Sequence, residues 1–399
     1  MALDVRTEFK IFKKFDFLDW ANMSPAPSIA IKKIKEYLDY LSNFTEENSY
    51  VEFDEWSQKV NLLRQEVAKL LNAEEKEIAI TGSSTTQGIQ IAFEAISPKK
   101  GENIITSDLE FPLAGTELQK WKERGLSVKL LKHKNGNFDL NELDTLIDKK
   151  TKLVLLSSVT WVNGYRFDLE EVSKIVHEHD AYIVLDSVQH VGAMDLNVKT
   201  IKPDFIAAGG QKWLTAPFGI GILYVNNKAV KELHPPFYGH KNIAEPEEGW
   251  YEYFRDMSKH PIVNYKYVES AQKFEYGGTM PFPGIIGLKE SVALINQIGI
   301  KNIESKILKL KKMLMEELEH MKAKILVSEH EKNYSGITTF NIKDHFKDDL
   351  KIVDHLNKNK ILIAGRCANG IGGIRASIHY PNNESDVLNL IDRLKKLKL

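Results

Sequence analysis

Residues 181–213 read AYIVLDSVQHVGAMDLNVKTIKPDFIAAGGQKW, and two short apolar runs within them, YIVLD and FIAAG, decide the fold. Each run is too short for a buried helix and apolar throughout, which is how a strand buried on both faces reads. The pattern repeats on both sides of this stretch in EIAITG (77–82), NIITSD (103–108), SVKLLKH (127–133), KLVLLSSV (152–159) and IGILYV (220–225). Helical patterns lie between them: one from Thr85, one from near Leu113 to Arg124, and DLEEVSKIVHEH (168–179). Short strands alternating with helices predict an α/β fold whose mostly parallel sheet is covered on both faces.

The flanks predict a second, smaller unit. Residues 1–60 start extended in FLDWANMSPAP (17–27) and turn helical from Ile29, an N-terminal arm and helix packing with the small domain. Residues 61–295 form the large catalytic domain, and within it 230–275 is an aperiodic, aromatic segment (HPPFYGH, GWYEYF, NYKYV) of the kind that serves function or an interface. A long helix is predicted from Ile285 to His320. KILVSE, GITTFNI, a helix near Leu350 to Asn359, ILIAGR, GIRASIHY and a last helix from Glu384 then make a smaller C-terminal α/β domain over 296–399.

Composition narrows the function classes. The 399 residues carry Lys+Arg 54 against Asp+Glu 55, a formal net charge of -1, so no overall field favours nucleic acid or an anionic membrane. A small zwitterionic substrate fits better. Cys367 is the only cysteine, which excludes an intramolecular disulfide and a Cys-built metal centre and fits a reducing cytoplasm. No stretch reaches the roughly 20 apolar residues of a membrane span, and the N-terminus has no uninterrupted apolar core of a secretion signal. No metal site is expected: His177 and His179 in VHEHD point to different helix faces. His190, His234, His240 and His379 receive no role.

Three features carry chemistry. Asp186 ends the strand AYIVLD, where open α/β sheets place their ligands. A buried carboxylate there suits a protonated pyridine nitrogen, whose charge it would stabilise. Lys212 follows a Gly-Gly-Gln turn after the next strand; a lysine desolvated there becomes nucleophilic towards an aldehyde. In ITGSSTTQGIQIAF (80–93), a helix starting near Thr85 offers backbone N–H groups and the hydroxyls of Ser84 and Thr85 to a phosphate. Each has an ordinary reading as a turn, surface or capping residue; all three in order point to pyridoxal 5'-phosphate (PLP).

The order of LDWANMSPAP, SSTTQG, DSVQ, GGQKWLTAPFGIGILYV, FEYGGTMPFPGIIGL and GGIRASIHYPN resembles the class V aminotransferase family of fold-type I PLP enzymes. That family includes cysteine desulfurases, selenocysteine lyases and isopenicillin N epimerase-like proteins. The resemblance implies a large domain with a mostly parallel, seven-stranded sheet. It also implies that Lys212 holds PLP as a Schiff base, Asp186 pairs with the pyridine nitrogen, and Gln189 contacts the phenolic oxygen. Ser84, Thr85 and Gln211 would hold the phosphate. Phe111 would stack on the ring where desulfurases often carry His, and Trp161 stands where many relatives carry Asn. Arg375 matches the arginine that clamps the substrate carboxylate, with Arg366 and Asn22 as further candidates. Thr279 matches a residue that reaches the neighbouring subunit's phosphate, which implies a homodimer.

The first expectation for the reaction is amino-group transfer. The alternatives are β-elimination of the cysteine desulfurase or selenocysteine lyase type, epimerisation, and a PLP-fold binding protein without turnover. Cys367 lies close ahead of Arg375, whereas the desulfurase nucleophile sits further upstream on a longer loop.

Overall fold

Seven strands form one sheet in the order β2-β8-β7-β6-β5-β3-β4. They are β2 (Ile78–Thr81), β3 (Asn103–Ser107), β4 (Ser127–Leu131), β5 (Thr151–Ser157), β6 (Tyr182–Asp186), β7 (Phe205–Gly209) and β8 (Gly221–Val225). Only β8 runs against its neighbours, β2 and β7; the other pairings are parallel. This computed structural model describes residues 5–43, 49–239, 242–260, 262–275, 277–328 and 330–397.

Alternation along the strands explains why their sequences are apolar at every position. Ile183 and Leu185 enter one hydrophobic core with Val154 and Leu156, while Val184 and Leu155 enter another with Phe93 and Trp121. Neighbouring side chains point to opposite faces, and both faces are covered. The fold is therefore the predicted α/β architecture with a mostly parallel seven-stranded sheet.

A second, antiparallel sheet runs β12-β13-β10-β9. It comprises β9 (Lys324–Leu326), β10 (Ile337–Asn341), β12 (Ala364–Ala368) and β13 (Ile371–Ser377). Phe340, Ile374 and Ala376 on one face pack against Leu310, Leu314, Ile352, Val353, Leu356 and Leu390 from three helices. The opposite face carries Thr339 and Arg375, a cross-strand pair. It meets the large sheet's loops: Thr339 Oγ1 donates to Val162 O (2.6 Å) and Arg375 Nη1 to Trp161 O (2.8 Å).

The N-terminal segment ties these parts together. Its strand β1 (Asp16–Phe17) pairs in parallel with β11 (Ile361–Leu362). Trp20 is fully buried, and its indole N–H donates to Asn382 Oδ1 (2.7 Å). Arg6 grips Asp386 with both terminal nitrogens, each at 2.8 Å.

One predicted element differs. The helix expected from Ile285 to His320 is two, Phe282–Ile298 and Ile300–His320, separated by Gly299 at φ +87°. Glycine enters that left-handed region without a Cβ penalty, and apolar residues on both sides conceal the break. Among its described residues, the aromatic segment 230–275 holds only short helices, including Asn227–Glu232 and Gly249–Tyr253. Among the described residues no helix is long and apolar enough to cross a membrane.

Lys311 lies inside the core of the smaller sheet, donating to Ile337 O (2.5 Å) and Thr338 Oγ1 (3.1 Å). Burial pushes its amine from 10.5 down to about 7. Between these values the unfolded chain binds a proton that the folded chain does not, so folding stability should rise as pH climbs from about 7 to 10.5. Urea unfolding of Lys311→Met across that range should show a flatter profile than wild type; parallel profiles would mean that Lys311 folds charged.

Candidate active site

Five strands of the large sheet end around one site at its carboxyl edge. β6 ends in Asp186, β7 leads into Gln211 and Lys212, β2 leads into Ser84 and Thr85, β3 into Glu110 and Phe111, and β5 into Trp161. This is the carboxyl edge, where parallel strands leave a crevice for ligands. Arg375 enters from the smaller sheet, and Asp19 and Ser24 from the N-terminal segment.

Lys212 is held by its backbone. Its carbonyl accepts from Ser24 Oγ (2.5 Å) and from Thr215 N (2.9 Å). The next residue, Trp213, donates its indole N–H to Gln189 Oε1 (2.7 Å) and accepts at its carbonyl from His379 Nε2 (2.8 Å). Gly192, at φ +93°, passes so close that a Cβ there would lie 2.6 Å from that carbonyl. The lysine side chain is left free to face the pocket, with its Nζ 5.4 Å from the centroid of the Phe111 ring.

Electrostatics make this amine reactive. Burial lowers its pKa to about 8, with Asp186 opposing the shift and Arg375 adding to it. Asp186 is itself buried, and desolvation raises its carboxyl while the Val188 N–H (3.1 Å) and Lys212 pull it down. Arg375 is 2% exposed, and burial lowers its guanidinium to about 10, still protonated at neutral pH. Its Nη2 reaches Asp19 Oδ1 at 3.5 Å, and its Nε is buried with no partner among the described groups. A planar fork with an unmet donor is set to receive a carboxylate.

The helix Thr85–Ile96 opens onto the same pocket. Ser84 precedes it in extended conformation and makes no side-chain cap; its Oγ accepts from Ser83 Oγ (3.2 Å), which leaves its own hydrogen to donate. Thr85 Oγ1 accepts from Gly209 N (2.9 Å), locking the helix start to the end of β7. Gly88 permits that approach, since a Cβ there would sit 2.8 Å from the Ala207 methyl. Gln211 Oε1 is buried without a partner; rotating the amide by a half turn puts its NH2 there as a donor. Hydroxyls, an amide and a helix N-terminus fit a phosphate, and Asp186 with Lys212 fits a pyridine aldehyde.

The remaining predicted residues are less simply placed. The Gln189 amide donates one hydrogen to Ala21 O (3.0 Å) and accepts from Trp213, which leaves its second N–H for a ligand. Asn22 is exposed and donates to Asp19 Oδ2 (3.1 Å). Arg366 is half-buried on the same sheet face as Arg375 and donates to Gly365 O (2.8 Å). Thr279 is exposed, away from this pocket's hydrogen bonds. Trp161 stands edge-on to Phe111, with ring centroids 5.4 Å apart. His190 and His379 are buried and held down to about 3, while His240 lies outside the described residues.

Two acids escaped the sequence reading. Glu110 is half-buried beside Ser157 at the end of β5, accepting from Ser107 Oγ (2.8 Å) and from Ser157 N (2.9 Å) and Oγ (2.5 Å). Burial raises its carboxyl to about 7, with Asp186 adding to the shift. Asp19 faces Arg375 from the arm. Each acid's sequence context, a strand end before a proline and an extended arm, is equally that of a cap.

The Aminotransferase class-V family profile matches residues 16–390, and the chain belongs to that family. It is thus a fold-type I enzyme dependent on PLP. The chain is 29% identical over 411 residues to a probable cysteine desulfurase of Pyrococcus abyssi, covering 99% of this chain and 97% of that one. A probable cysteine desulfurase of Methanothermobacter thermautotrophicus is 27% identical over 409 residues, with the same coverage. The apo cysteine desulfurase of Thermococcus onnurineus superposes over 100% of this chain and 98% of its own, with a TM-score of 0.85 at 26% identity.

Because the Asp186 charge supports the Lys212 ammonium, Asp186→Asn should lower the lysine's pKa below about 8. The pH dependence of Lys212 acylation in the apoprotein, followed by peptide mapping, measures this. A half-point near 10.5 in the wild type would refute a buried amine.

Proposed function

We propose that the protein cleaves the Cβ–S bond of a small sulfur-bearing L-amino acid, a reaction of the cysteine desulfurase or selenocysteine lyase type. The observation that carries this is one cluster at the carboxyl edge of the large sheet that brings the Lys212 amine together with the buried Asp186 carboxylate and the buried, fork-shaped Arg375 guanidinium. Relatives matched over nearly their whole length and named probable cysteine desulfurases support the choice of sulfur. Amino-group transfer, the first expectation from sequence, is the second reading, since one relative of like coverage is named an uncharacterized aminotransferase.

Bound PLP supplies an electron sink for the pair left when the substrate's α-proton departs. The protein's groups do the rest. Arg375 takes the substrate carboxylate through Nη2 and the unpartnered Nε, displacing its long contact with Asp19. Lys212 would hold the cofactor's aldehyde carbon, and its amine, once released and neutral, would accept the substrate's α-proton. Asp186 would stabilise a protonated pyridine nitrogen, and Phe111, braced by Trp161, would stack against the ring. Ser84, Thr85 and Gln211 anchor the phosphate. Thr279, exposed on its own chain, is assigned to the neighbouring pocket of a homodimer.

The holoenzyme should absorb in the visible and lose that band to borohydride, and Lys212→Ala should prevent it. Arg375→Gln should raise KM for L-cysteine roughly tenfold to a hundredfold, the loss of a charge-assisted pair, with a smaller effect on kcat. An amino-acid panel assayed for sulfur release decides the reading. It fails if the enzyme transfers amino groups to a 2-keto acid while leaving cysteine's sulfur in place.

A further inference from the structure

Resting on that reading, we infer that the sulfur departs into solution and is never parked on the enzyme, so the three-carbon product of L-cysteine is pyruvate and not alanine. The reason is where the chain's only cysteine sits.

Cys367 is on β12, one residue from Arg366. In the ladder with β13, Ala364 pairs with Arg375 and Arg366 with Gly373, so these residues share the face that meets the pocket. Gly365 pairs with Ile374 and Cys367 with Gly372, on the opposite face. That face belongs to the helices: Ile374 is fully buried in their core, and a Cβ on Gly365 would lie 2.4 Å from the Leu350 side chain. The Cys367 thiol opens onto a surface cleft with Lys322, Lys324, Asn341 and Phe346. Lys212 and Arg375 lie behind the sheet from there.

The hairpin cannot swing the thiol round. Ala368 pairs directly with Ile371, leaving only Asn369 and Gly370 as the turn, both at positive φ (43° and 85°) as a tight two-residue hairpin requires. Its tip is fastened to the large sheet, with Asn369 Nδ2 donating to Asp108 Oδ2 (2.8 Å) and His133 Nε2 to Asn369 O (3.1 Å). Turning Cys367 inward needs a one-residue slip of β12 that would also turn Arg366 away from the pocket face and break the two-residue turn.

The consequence is a different electron balance. With a thiol in reach, sulfur moves to that thiol as a persulfide, the Cβ–S electron pair stays on carbon, and the fragment takes protons to become alanine. Without one, the pair leaves with sulfur as hydrosulfide. The unsaturated three-carbon amine that remains takes up water and splits into pyruvate and ammonia. Cysteine plus water thus gives pyruvate, ammonia and hydrogen sulfide, with no external oxidant or reductant.

The test is to incubate the holoenzyme with L-cysteine without added thiol and quantify sulfide, pyruvate, ammonia and alanine. The intact mass of the protein is recorded after turnover. Equal sulfide, pyruvate and ammonia, no sulfur added to the protein, and an unchanged rate in Cys367→Ser are expected. Iodoacetamide should label Cys367 in the holoenzyme without disturbing the cofactor's visible band. Alanine as product, with a sulfur atom on Cys367 and activity lost in Cys367→Ser, would overturn the inference while leaving the C–S reading intact. No sulfur release from the wild type would instead sink the C–S reading itself and this inference with it.

Discussion

A half-buried amine, a buried carboxylate and a buried guanidinium meet at one site, and the rest of the molecule is arranged around that constraint. A charge taken from water without compensation is costly, so each group must be answered by another or change its protonation. Lys212 responds by falling to about 8, and Asp186 by rising while it keeps the Val188 N–H and the lysine as partners. Arg375 stays charged against Asp19 and the Trp161 carbonyl. The free amine that a Schiff base requires is thus a product of burial, and the same burial leaves donors ready for anionic parts of a ligand.

That pocket needs both sheets. Parallel strands deliver Asp186, Lys212 and the Thr85 helix start to one edge, but the guanidinium comes from an antiparallel sheet whose other face is buried under helices. Arg375 therefore owes its direction to strand alternation: Ile374 and Ala376 go to the core, and Arg375 between them goes to the pocket. The N-terminal segment closes the seam, with Ser24 on the Lys212 carbonyl and Trp20 on Asn382. The same alternation that aims Arg375 inward turns Cys367 away, so one geometric rule fixes both the substrate clamp and the fate of the sulfur.

What the sequence disclosed was what is local. Asp186, Lys212 and the Ser84–Thr85 turn each lie at a strand end beside glycine or a helix start, and periodicity alone marks those ends. Glu110 and Asp19 were hidden because their meaning comes from partners distant in the chain: Ser157 for the first, Arg375 for the second. Gln189 was legible as a neighbour of the acid, but not as the group that accepts from the Trp213 indole. The break at Gly299 was masked by an apolar pattern that continues through it.

The central claim is that substrate carbon loses its sulfur while the amino group is not left behind on the cofactor. Following the cofactor's visible absorbance through many turnovers of L-cysteine, with no 2-keto acid present, tests it most directly. The account predicts sustained sulfur release with the absorbance recovering fully once cysteine is spent. A reaction that stops after one equivalent, with the band lost until a 2-keto acid is added, would contradict it.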